Sequence, residues 1–371
     1  MKPSPSIIAL LVALPVALAG CGTRPGPDVL QTVMAVPDDA AQVKVYAVTT
    51  RNRISPTRNI FDAGKATAPN YAELTVSIPP GHKPSQIEWP KGKRPDPATS
   101  FAVTGQSVLS DSGFREAIRP GRTGSNHLAI FVHGYNYNFQ ESLFRLAQIS
   151  HDAKLEGLPI LFSWPSQAAV AGYVADKESA TYSRDYLAAL MAEAVKGRSD
   201  TDVVVFGHSM GGWLVVEALR QLRLQGRDDV LSKLNVILAA PDIDEDVFRT
   251  QMAVIGKMQH PMTVLVSGDD RALAVSKLIS ASTNRVGTLD VKDPKVQQTA
   301  VANGVTLIDI SQVQPMDSAR HNRFVDLVGL YPSLTAGTER NGLRKAGAFV
   351  FDAAGATLSS PFRIVSGVLA E

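Results

Sequence analysis

The stretch Val203-Val204-Val205-Phe206-Gly207-His208-Ser209-Met210-Gly211-Gly212 decides how the rest of the chain is read. Four apolar residues of strand character run straight into a glycine-flanked turn. A helical pattern follows at once: Leu214, Val215, Ala218, Leu219 and Leu222 line one face, and Gly226 stands where a C-cap belongs. Gly207-x-Ser209-x-Gly211 thus lies between a predicted strand and a predicted helix. In that setting the serine occupies a tight, strained turn, and the glycines remove Cβ atoms that would clash as strand and helix approach. Ser209 would stand proud of a sheet's C-terminal edge, near the positive end of the following helix. That is the placement of a nucleophile. The plainer alternative is a Gly-rich turn that only packs a helix on a strand.

Moving outward, further apolar runs occur at Val43–Val48, Leu74–Ile78, Leu128–Val132, Pro159–Phe162, Val236–Ala239, Thr263–Val266 and Val305–Ile308. From the third onward most are continuous rather than alternating, as expected of parallel strands covered on both faces. Asn138 and Glu141 form a capping-box pattern opening a helix with Leu143, Leu146 and Ala147. Tyr182, Tyr186, Leu187, Leu190, Met191 and Ala194 line another. Strands alternating with helices predict an α/β fold with a mostly parallel sheet. The first two runs precede the alternation and suggest an antiparallel edge. The Pro-, Gly- and Lys-rich residues 79–124 receive no assignment.

With 371 residues, 44% hydrophobic and 19% charged, the composition is that of a packed globular protein. At a formal charge of +2, without a dense basic cluster, nothing points to nucleic acid as a partner. The single cysteine, Cys21, excludes an intramolecular disulfide. It follows a basic Lys2, an apolar stretch from Ile7 to Ala19, and Gly20, the pattern of a secretory signal. Leu18-Ala19-Gly20-Cys21 resembles the lipobox of bacterial lipoproteins, which implies cleavage after residue 20 and lipidation of Cys21. Gly22 is not the Asp that retains such proteins in the inner membrane, so attachment to the outer membrane, facing the periplasm, is expected in a diderm source. The expected layout is a signal peptide over 1–20, a tether over 21–42, the α/β domain over 43–332 and a C-terminal extension over 333–371.

A serine nucleophile needs a base, an acid and an oxyanion hole. The third run ends in His133-Gly134-Tyr135-Asn136, and the backbone N–H groups of Tyr135 and Met210 are the candidate oxyanion donors. His133 itself reads as a residue that orients this loop. His82 precedes the core sheet, His127 opens a strand at the wrong edge, His260 precedes its strand, His151 lies late on a helix, and His208 is too close in sequence to reach its neighbour's hydroxyl. His321, in the loop after the last strand, remains as the base. For the acid, Asp270 is the first choice and Asp269 the second, both following the run Thr263–Val266. Asp270 also reads as the N-cap of the next helix. Asp242 and Asp244, one strand earlier, come third. No HExxH or Cys/His cluster suggests a metal, and no cofactor is expected.

The segments Val132–Asn136, Phe162-Ser163-Trp164-Pro165-Ser166, Gly207–Gly212, Ala240-Pro241-Asp242-Ile243-Asp244 and Asp270-Arg271-Ala272-Leu273 together resemble the α/β-hydrolase superfamily. More narrowly they are similar to a bacterial esterase/lipase-like family of largely unassigned function. Tyr173, Asp176 and Ser179 also recur in that pattern, and a packing role beside the site is expected of them. The resemblance implies an eight-stranded sheet, a serine hydrolase mechanism on esters or thioesters, and Asp270 over Asp269. Acyl transfer to an acceptor other than water uses the same motif. A non-catalytic envelope scaffold is the rival from another class, and it has no need of an aligned serine, histidine and acid.

Overall fold

The computed structural model describes residues 24–329, except 93, 123, 124, 156, 201, 281–283 and 316, together with 363–365. Ten strands form one sheet: β1 (Ala41–Arg53), β2 (Phe61–Ile78), β3 (Ala102–Leu109), β4 (Leu128–Val132), β5 (Leu158–Ser163), β6 (Val203–His208), β7 (Leu234–Ala239), β8 (Met262–Val266), β9 (Val305–Asp309) and β10 (Arg363–Val365). Their order is β10-β9-β8-β7-β6-β4-β5-β1-β2-β3. β1 and β4 to β9 run parallel to their neighbours; β2, β3 and β10 are added antiparallel at the edges.

The described helices are α1 (Asp111–Ala117), α2 (Phe139–Asp152), α3 (Tyr173–Ala194), α4 (Met210–Leu224), α5 (Asp228–Leu231), α6 (Glu245–Ile255), α7 (Arg271–Ile279), α8 (Pro294–Asn303) and α9 (Arg323–Gly329). None is long and apolar enough to cross a membrane. Successive residues of the central strands feed opposite cores, as a pleated strand requires. Ile130 and Val205 join Leu187, Met191, Leu214 and Leu219 on one face. Phe131 and Val204 join Leu143, Phe144 and Phe324 on the other. That double burial is why these strands read as unbroken apolar runs.

Three expectations change. The sheet has ten strands rather than eight, because β3 and β10 extend its two edges. β3 and α1 fill part of the unassigned 79–124 segment. β3 has Thr104, Gln106 and Ser107 among its eight residues, the composition of an edge strand and not of a core one. Finally, the described part of the expected tether is tied down from Arg24 onward: Val29 and Leu30 are buried, and Val33 N–H bonds to Val103 O at 2.9 Å. Cys21, the signal segment and most of the C-terminal extension lie outside the described residues.

The chain passes from β4 to β5 on one side and then returns to β6 on β4's other side. This reversal between β4 and β6 opens a crevice at the C-terminal ends of the strands, where α/β sheets place their ligands.

Candidate active site

Ser209 follows β6 directly and adopts φ 55° and ψ −123°, backbone space that a non-glycine residue rarely occupies. Its N–H bonds to Ala239 O at 2.9 Å, and its own carbonyl accepts from Gly212 N–H at 2.9 Å. Close approach requires the flanking glycines. A Cβ on Gly207 would stand 2.8 Å from Gly212 Cα, and one on Gly211 would stand 2.3 Å from His133 O. Gly134 also lies against the elbow, less tightly, where a Cβ would come within 2.9 Å of Ser209 Cβ. The loop carrying Tyr135 therefore lies directly against the serine, and Met210 opens α4 beside it.

A cavity of about 330 Å³ opens here, lined by Tyr135, Ser209 and His321 on its polar side and by Val170, Leu273 and Ile279 among its apolar walls. His321 Nδ1 meets Asp270 Oδ2 at 2.6 Å. The other oxygen of Asp270 accepts from Leu273 N–H at 3.0 Å and caps α7. Asp270 thus caps α7 with one oxygen and meets His321 with the other. Burial depresses the His321 imidazole, but the hydrogen bond and charge of Asp270 outweigh it and raise it above the ordinary histidine value. His208 packs beneath, its ring centroid 4.7 Å from that of His321; buried and beside a second imidazole, it is held well below the ordinary value and so neutral.

The other acids have different partners. Asp269 is gripped by Arg323 and by Arg320 Nη1 at 2.6 Å, which hold its carboxyl well below the usual range. Asp269, the second choice for the acid, is thus ion-paired to two arginines. Asp242 lies buried at the cavity wall, accepting from Ser276 Oγ at 2.6 Å and Tyr173 Oη at 2.9 Å, with Arg285 Nε at 3.2 Å. Asp244 caps α6.

Around the His133–Asn136 loop lies a buried relay that was not legible in the sequence. Arg51 Nε donates to Ser163 Oγ at 3.0 Å, and Ser163 Oγ lies 3.2 Å from His133 Nε2. His133 Nδ1 faces Gly134 O at 2.8 Å, so this nitrogen carries the proton and Nε2 accepts from the serine hydroxyl. Burial and the Arg51 charge push the His133 imidazole down to about 3, which keeps it neutral. Trp164, fully buried, stacks on it and donates to His133 O at 2.8 Å. Asp176, also buried, accepts from Ser166 Oγ at 2.5 Å and Gln167 N–H at 2.6 Å, and so fixes the neighbouring loop as expected.

Among the described residues one group has metal-ligand character: His82, His151 and Asp152 bring donor atoms within 4.8 Å of one another. It lies at the far end of α2 from the cavity, about 20 Å along the helix. His82 is already bonded there to Glu88 at 2.7 Å and Asp152 at 2.9 Å.

A family described as "Alpha/beta hydrolase of unknown function (DUF900)" matches residues 114–337, which include Ser209, Asp270 and His321. No curated protein matches the sequence. Among solved structures, an esterase/lipase from an uncultured bacterium is 13% identical, with 93% of this chain and 100% of that one covered at a TM-score of 0.36. A putative cell surface hydrolase from Lactobacillus plantarum WCFS1 is 13% identical, covering 60% and 97% at 0.34. A Pyrobaculum calidifontis esterase is 10% identical, covering 86% and 87% at 0.34. Likeness at these scores bears on neither mechanism nor substrate.

Proposed function

We propose, because this chain belongs to the alpha/beta hydrolase family of unknown function DUF900, that it is a serine hydrolase of carboxylic esters or thioesters. Ser209 Oγ attacks the acyl carbonyl while His321 Nε2 takes its proton. The carbonyl electrons move onto oxygen, which the Tyr135 and Met210 N–H groups stabilise. Collapse expels the alcohol or thiol, and His321 returns the proton to it. Water, giving a proton to His321, then attacks the acyl-enzyme; the acid leaves and Ser209 regains its hydrogen. Asp270 holds the imidazole tautomer and stabilises the imidazolium. The observation that carries this reading is the 2.6 Å Asp270–His321 bond in the cavity that Ser209 lines from its strained turn.

Ser209→Ala is expected to abolish turnover of a chromogenic ester while changing stability by less than about 1 kcal/mol, since only one hydroxyl at the cavity wall is lost. Ester kinetics and thermal unfolding check both halves. Turnover near wild type in this variant would end the proposal.

A lipid anchor at Cys21 belongs to the same reading, placing the enzyme on the cell envelope, at the outer membrane facing the periplasm in a diderm source. Each buried methylene of an acyl chain contributes about 0.8 kcal/mol to anchoring, so several chains on one cysteine hold stably. Cys21→Ala should lose both fatty-acid label and membrane retention; equal label in both proteins would refute the anchor.

A further inference from the structure

Large apolar side chains exposed on the described surface number eleven, and five of them, Val170, Val174, Val275, Leu278 and Ile279, either line the cavity or are immediate sequence neighbours of lining residues. Val170, Val275 and Ile279 line it. On α7, Val275, Leu278 and Ile279 fall at i, i+3 and i+4 and share one helix face. Leu273 and Ser276 of the same helix are buried. Leu278 is 80% exposed and Val170 75%, so this is an apolar rim facing outward and not a frayed piece of core. Contiguous apolar surface at a cavity mouth marks an interaction site.

The path of the N-terminal chain says what covers it. Arg24 donates to Asn136 O at 2.9 Å and Asn136 Oδ1 at 2.8 Å, and pairs with Glu141 at 2.9 Å. Pro25 O accepts from Asn138 Nδ2 at 3.1 Å and Gln140 Nε2 at 2.6 Å. Asn136 is itself a cavity-lining residue. The chain is therefore fixed at the cavity mouth only three residues after Cys21, a span of at most about 11 Å.

We propose that the rim of Val170, Val174, Val275, Leu278 and Ile279 rests on the phospholipid bilayer that holds Cys21, so that the cavity opens onto the membrane and takes its ester from lipids there. This deepens the hydrolase reading and rests on the anchor at Cys21. An anchor so short brings the bilayer surface to the side of the molecule that carries the catalytic edge. Apolar side chains on that side then enter the boundary between headgroups and acyl chains, which is 5–10 Å deep for interfacial helices, about the reach of Leu278 and its neighbours.

The test uses the full lipidated chain in phosphatidylethanolamine/phosphatidylglycerol vesicles containing lipids brominated on their acyl chains. Tryptophan fluorescence is compared for Leu278→Trp and for Leu224→Trp, an exposed site at the opposite end of α4 from Ser209. Bromolipid quenching is expected for residue 278 and not for residue 224, and it requires no enzymatic activity. In parallel, Val174→Glu with Leu278→Glu, neither of which lines the cavity, should lower hydrolysis of a vesicle-embedded ester at least about tenfold, equivalent to 1.4 kcal/mol. Hydrolysis of a soluble short-chain ester should stay within about twofold. A chain that does not float with vesicles overturns the anchor and this proposal with it. A chain that floats but is quenched equally at both positions, or only at residue 224, overturns the orientation alone. Cross-linking of anchored chains to one another through residue 278 overturns it too, in favour of a dimer. Quenching at 278 without any ester turnover would keep the docking and refute the hydrolase.

Discussion

At Asp270 one carboxylate oxygen caps α7 through Leu273 N–H and the other holds His321 Nδ1. Asp270→Asn keeps an oxygen for the cap but turns an amide N–H toward the imidazole or forces its tautomer to change. The fold should persist while kcat falls by on the order of 10⁴, the loss seen for the equivalent change in a protease triad. The pH profile carries a second signature. His321 must be neutral to take the serine proton, and Asp270 raises it, so kcat/KM should fall on the acid side of a midpoint above about 6.5. In Asp270→Asn that midpoint should move to lower pH, because the ion-pairing charge is gone. Asp269→Asn should act on stability instead, costing about 1 kcal/mol because the carboxylate is partly exposed and screened. Since Asp269 is held below its ordinary value, its contribution is present above about pH 4 and is lost as pH falls toward the depressed value. Asp242→Asn leaves Arg285 buried without its counter-charge, and about 3 kcal/mol of destabilisation is expected with the mechanism intact. Kinetics and unfolding on the three variants separate these outcomes; a crippled Asp242→Asn beside a near-normal Asp270→Asn would move the acid to the loop after β7.

At the scale of elements, the parts legible in the sequence are those fixed by local rules. The elbow is specified by two glycines and a serine between a strand and a helix. The α2 start is specified by Asn138 and Glu141, which do form the reciprocal capping box. Gly226, expected as a C-cap, has φ +70° just past α4. What escaped depends on contacts far apart in the chain. Arg51 reaches Ser163 and Tyr137 across more than eighty residues, and Arg24 reaches Asn136 across 112, so neither has a local signature. β3 and α1 escaped because an edge strand needs little apolar content and α1 has only seven residues. The tight contact of the His133–Tyr135 loop with the elbow gives a prediction at this scale. Gly211→Ala places a Cβ against two carbonyl oxygens and should destabilise by about 3 kcal/mol, at the upper end of overpacking costs. Gly134→Ala should unfold only slightly earlier but lower kcat about a hundredfold, because displacing this loop shifts an oxyanion donor. Thermal unfolding alongside ester kinetics tells the two apart; equal loss of stability in both would contradict the loop's proposed role.

Over the whole molecule, each segment lining the cavity follows the C-terminal end of one of six neighbouring parallel strands, β4 to β9. The reversal of strand order between β4 and β6 makes room for it, and the Ser209 elbow and the His133–Asn136 loop are the turns that leave those two strands. The long β1–β2 hairpin braces the other flank, where Tyr182 and Tyr186 of α3 donate to Ala66 O and Thr67 O. Six parallel strands, β4 to β9, were legible because both of their faces are covered. β1, expected with β2 as an antiparallel edge, instead pairs in parallel with β5 and only β2 runs antiparallel to it, a long-range pairing without a local signature. The edge strands β3 and β10 were not legible at all. The central claim is that this framework exists to activate Ser209. Labelling the whole chain with a fluorophosphonate probe and locating the adduct by mass spectrometry tests it most directly. The account predicts a single adduct on Ser209, abolished in Ser209→Ala and greatly slowed in His321→Ala; an unlabelled wild-type chain, or an adduct on another residue, would contradict it.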